Sequence, residues 1–140
     1  MLHPDFPIVE GHYQMTSDWG VFLAEKYNRR IEDSDLVLWR PGMTIWVSIW
    51  ENDDGKSQEE LLSWIKEGTS KDAFEESVYT NESVTFYSYS LSETTDDERQ
   101  PAFYCFALSN TSYVQMAIYY DEPLAKSSVK DLHSSLVYSG

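Results

Sequence analysis

The chain has 140 residues, 41% hydrophobic and 15% aromatic, and a formal net charge of -14 from 24 acids against 10 bases. This is the size and composition of one globular domain with a real hydrophobic core, and it excludes a disordered chain. The charge opposes nucleic acid and anionic membrane surfaces; it either serves solubility alone, as in a bacterial-type cytosolic domain, or steers a basic partner.

Residues 1–12 hold Pro4, Pro7 and Gly11 and read as an extended arm on a single domain spanning 1–140. This start has no basic n-region and no apolar h-region, so no secretory signal is expected. The segment HYQMT reads as a short strand, and VFLAEKYNRRIED as a strand running into the next hairpin.

The stretch from Leu36 to Ile65 holds four of the five tryptophans and is the most legible part of the chain. Pro41-Gly42 is a turn dipeptide, in which proline presets φ and glycine supplies a positive φ. A two-residue loop there pairs Arg40 with Met43, Leu38 with Ile45 and Leu36 with Val47. The period-two rule then puts Leu36, Leu38, Ile45, Val47 and Ile49 on one face, and Val37, Trp39, Trp46 and Trp50 on the other.

After the polar loop ENDDGK, Ser57 and Glu60 form an S-x-x-E capping box that opens a helix. Leu61, Leu62, Trp64 and Ile65 give it an apolar stripe, with Trp64 expected to pack against the sheet, and Gly68 marks its stop. Residues 71–83 are weakly patterned. VTFYSYSL alternates as a strand, and SETTDDERQ reads as a charged, exposed connection. AFYCFAL and SYVQMAIYY flank SNT as a second hairpin. Pairing Leu108 with Tyr113 puts Phe103, Cys105, Ala107, Val114, Met116 and Ile118 on one face. Tyr104, Phe106, Tyr113 and Gln115 fall on the other. Pro123 suits the first turn of a terminal helix, with Ala125, Val129, Leu132 and Leu136 along one face. The expected fold is α+β, a mostly antiparallel sheet with helices packed on one face.

This layout resembles the PsbP-like superfamily. The matching features are YQMTSDW, the hairpin ending TIWVSIW, the capped helix at Ser57, the late hairpin ending MAIYYDE, and the terminal PLAKSSVKDLHSSL with its Ser135-Leu136 finish. The resemblance implies an antiparallel sheet with packed helices and a non-enzymatic role in binding other proteins. It carries over no functional residues.

The residues themselves offer little chemistry. His3, His12 and His133 have no paired-ligand spacing, and Cys105, the only cysteine, can form neither an intrachain disulfide nor a zinc cluster. Cys105 falls on the core side of its strand and is expected to pack as a small hydrophobe, while His133 lies beside the apolar stripe of its helix as a helix-surface or packing residue. ENDDGK fails the calcium-loop pattern, because counting back from Gly55 puts Trp50 in the first ligand position. The sequons at Asn81 and Asn110 read as chance matches. No catalytic residue, metal or cofactor is expected, nor any membrane span, and the chain reads as cytoplasmic and non-enzymatic.

The aromatic face remains. Either it is an interaction surface, or the arm or another segment covers it as a second small core. Trp39, Arg40, Trp46 and Trp50 are the candidate protein-binding residues, since tryptophan and arginine favour interface hot spots. The leading expectation is a protein-interaction domain for a basic partner, such as an adaptor or chaperone for a secreted effector or an immunity protein. The alternative is a small hydrophobic ligand held between sheet and arm, and homodimerisation through the aromatic face is compatible with either.

Overall fold

A computed structural model describes residues 2–95, 98–121 and 126–139. Pro123 and Ala125, expected in the terminal helix, lie outside the described residues. The strands are β1 (Ile8–Gln14), β2 (Trp19–Glu32), β3 (Asp35–Arg40), β4 (Met43–Glu51), β5 (Phe74–Asn81), β6 (Val84–Thr95), β7 (Glu98–Leu108), β8 (Ser112–Tyr120) and β9 (Val137–Tyr138). The helices are α1 (Gln58–Glu67), between β4 and β5, and α2 (Lys126–Ser134), between β8 and β9.

All nine strands join one sheet in the order β1-β2-β3-β4-β8-β7-β6-β5, with β9 pairing with β2. Two four-stranded meanders thus meet at β4 and β8, which pair antiparallel from Met43↔Tyr120 to Glu51↔Ser112. Every strand pair is antiparallel.

The hairpin registers follow the sequence pattern. Leu36↔Val47, Leu38↔Ile45 and Arg40↔Met43 pair across the Pro41-Gly42 turn, where Gly42 adopts φ +83°. That conformation is cheap only for glycine. Leu108↔Tyr113 closes the second hairpin.

These registers sort the core. One face carries Leu23, Leu38, Ile45, Val47, Phe103, Cys105, Val114, Met116 and Ile118 in a large cluster, and α2 adds Val129 and Leu132. The other carries a smaller aromatic cluster of Tyr87, Tyr89, Phe106, Leu108 and Tyr113, covered by Leu61 and Ile65 of α1.

The architecture corrects the α+β expectation. The molecule is essentially all-β: one large antiparallel sheet with two helices of only ten and nine residues. Nor do the helices share a face, because α1 lies on the aromatic side and α2 on the aliphatic side. A helix stripe reports that a face is buried, not which side of the sheet buries it.

Other differences are local. β1 begins at Ile8, so the second half of the arm is strand. The stretch SETTDDERQ is not a loose connection, because β6 and β7 stay paired through it to Thr95↔Glu98. Residues 74–81 form β5, an edge strand exposed along its whole length.

Candidate functional site

The capping box at the start of α1 is present: the Glu60 N–H donates to Ser57 Oγ at 3.1 Å, and the Ser57 N–H donates to Glu60 Oε1 at 3.1 Å. This fixes where α1 starts over the second meander and leaves the matching side of the first meander without a helix. Trp39, Trp46 and Trp50 stand on that side.

The arm covers part of it. Asn28, fully buried in β2, accepts from the His3 N–H at 2.7 Å, and its amide donates to His3 O at 2.9 Å and Phe6 O at 3.2 Å. The arm is thereby held so that the Phe6 ring meets Trp39 edge-on, with centroids 5.0 Å apart. The Arg30 guanidinium lies over Trp39 at 4.7 Å and over Trp46 at 5.9 Å, while pairing with Glu32 at 2.8 Å.

Beyond Trp46 the face is open. Trp50 is 45% exposed and lies 5.4 Å from Tyr113, with the ring planes at 50°. Trp64 of α1 is 51% exposed, meets Tyr113 edge-on at 6.4 Å, and carries Lys56 Nζ at 5.0 Å from its ring centroid. It is therefore not the packed helix-to-sheet tryptophan that the stripe implies. A cleft of about 420 Å³ lies here between β4, β8 and the end of α1.

The two halves of this surface therefore differ in cover. The arm roofs the Trp39 end, and the Trp50 end faces solvent. Trp46 and Trp50 are four residues apart on one strand of this face, roughly 13 Å, a spacing an extended segment can follow. Acids flank the face: Glu32 at the Arg30 ion pair, Asp35 accepting from Ser48 Oγ at 2.9 Å, and Glu67 at the cleft.

Of the candidate residues, Trp39, Trp46 and Trp50 share this face and Arg40 does not. Arg40 alternates with Trp39 along β3, and its guanidinium sits on the far side by Glu25 at 3.6 Å and the Tyr27 ring at 5.9 Å. Phe6 and Arg30, which pack on Trp39, and Glu67 at the cleft carry no sequence signature.

Cys105 has the packing role expected, and of the two roles open to His133 the structure shows packing. Cys105 is fully buried and burial pushes its thiol well above the usual range. His133 is buried among aromatic rings, with Nε2 2.8 Å from Phe106 O. Among the described residues, no cluster of three or more His, Cys, Asp or Glu could hold a metal ion, and no helix is long and apolar enough to cross a membrane. No protein-family model matches the chain, and no curated protein matches it in sequence.

Proposed function

We propose that the chain is a non-enzymatic interaction domain whose aromatic groove holds an extended basic segment of a protein partner. The observation that carries this reading is the exposed pair Trp50 and Trp64, beside half-buried Trp46, on a chain of net charge -14. Exposed aromatic surface of this kind marks an interface, and the rings accept cations on their faces. The protein's own Arg30 and Lys56 already sit that way on Trp39 and Trp64. The acidic field adds speed of encounter and selects the sign of the partner.

A second copy of the chain is a poor occupant, because two chains each of net charge -14 repel each other. An adaptor for a secreted effector and an immunity protein against a basic toxin both match the proposed role. The small-ligand reading is weaker, since the cleft opens to solvent and is not closed under the arm.

The test is nuclear magnetic resonance of the tryptophan indole N–H groups during titration with a short basic peptide and an acidic one. The basic peptide should move Trp39, Trp46 and Trp50 and leave Trp19, which is fully buried, where it is. Its effect should weaken with salt. Equal responses to both peptides, or none at these three indoles, would overturn the reading.

A further inference from the structure

The cleft beside Trp50 and the end of α1 has a more specific chemistry. Trp50, Trp64, Tyr113, Phe106, Glu67 and Gln115 line it. The Trp50 and Tyr113 planes are tilted by 50° and the Trp64 and Tyr113 planes by 79°. The rings are therefore mutually tilted and do not stack on one another.

We propose that this cleft seats one cationic side chain, an arginine or a lysine, projecting from the basic partner. The proposal rests on the partner reading above and names the subsite at which the partner's charge is read. Three features converge on it. The ring faces are the negative poles of their quadrupoles and attract a cation. Glu67, an acidic residue, lines the cleft. The cleft also reaches Gly68, just beyond α1, where the helix dipole is negative. A cation gains from all three, whereas a neutral guest gains from the rings alone.

Accessibility fits as well. Lys56 takes one face of Trp64, but among the described residues no cation lies over Trp50. An extended chain along β4 that covers Trp46 brings its side chains to Trp50 within roughly 13 Å. The groove and the cleft can then be filled by one partner segment.

The experiment compares a short arginine-containing peptide with its citrulline counterpart, which keeps the shape and removes the charge. Both are titrated into the full chain and into Glu67→Gln and Trp50→Ala, with the indole N–H signals as readout. Arginine should move the Trp50 and Trp64 signals saturably, with citrulline weaker by about two- to fivefold, given the size of an exposed cation–π contact. Glu67→Gln should weaken the arginine peptide several-fold, leave the citrulline peptide unchanged and keep the wild-type unfolding midpoint. Trp50→Ala should weaken both peptides.

Equal affinity for the two peptides would overturn the assignment, and so would a neutral sugar that moves these indoles while arginine does not. If basic peptides move Trp39 and Trp46 but leave Trp50 and Trp64 unmoved, the subsite falls and the partner reading stands. If all these indoles stay unmoved, both fall.

Discussion

The Arg30 guanidinium lies 4.7 Å above the Trp39 ring, and the same group reaches Trp46 at 5.9 Å. An internal cation thus occupies the middle of a surface whose proposed partner is cationic. Arg30→Gln should remove a competitor and tighten a basic peptide several-fold. It should cost only about 0.5–1 kcal/mol of stability, as an exposed cation–π contact does. Arg40→Gln makes the same change in charge on the opposite face and should tighten binding much less. Peptide titrations on the two variants make the comparison, and equal effects would reduce the Arg30 contact to a matter of net charge.

Asn28 holds the arm. It is a fully buried amide whose partners are backbone groups of His3 and Phe6. Asn28→Ala leaves those groups unpaired and should cost about 1–3 kcal/mol. It should also free Phe6 from Trp39. Limited proteolysis checks this: cleavage within residues 3–7 should rise sharply while the rest of the chain stays protected.

His133 makes stability depend on pH. Burial among Phe86, Phe103 and Tyr79 lowers its pKa from 6.5 to about 4, against a smaller upward pull from the Phe106 carbonyl. The unfolded chain takes up the proton first as pH falls. Stability is therefore fully present above about 6.5 and is lost between there and about 4, by a free energy on the order of 3 kcal/mol. His133→Leu should be less stable at neutral pH, because it loses the bond to Phe106 O, but should show a flatter profile across that window. Urea unfolding at several pH values reads the difference in slope.

Cys105 reports on the core. It has no exposed surface, and burial alone keeps it protonated. A thiol reagent should react with it only as the chain unfolds, since the thiolate is the reactive form. Reaction at the rate of an exposed thiol in the native protein would contradict the sheet register.

The hairpins around Pro41-Gly42 and residues 109–111 were legible because strict alternation of large apolar groups admits one register at each turn. The α1 cap was legible because Ser57 and Glu60 satisfy a local need that no tertiary contact alters. β5 was not, because FEESVYTN lies on an edge, exposed at every position, and has no buried face to write an alternation. The charged ends of β6 and β7 were misread for a related reason: their backbone pairing continues where their composition favours a loop.

Which side each helix takes was not legible at all, since Leu61 and Val129 carry the same amphipathic pattern and pack on opposite faces. For the site, alternation placed three tryptophans together and also put Arg40 on the reverse side. The contributions of Arg30 and Phe6 depend on how β2 and the arm cross Trp39, and no local spacing encodes that.

The central claim is that the aromatic face is open to another molecule and is neither core nor self-interface. The most direct test is solution mass by light scattering, with an unfolding curve, on wild type and on Trp46→Asp. The account expects a wild-type monomer and a folded monomeric variant, less stable by about 1–2 kcal/mol for a half-buried strand position. An Ile45→Asp control, one residue along β4 and fully buried, should fail to fold. A wild-type dimer that Trp46→Asp converts to a folded monomer, or a Trp46→Asp chain as unfolded as the control, would contradict it.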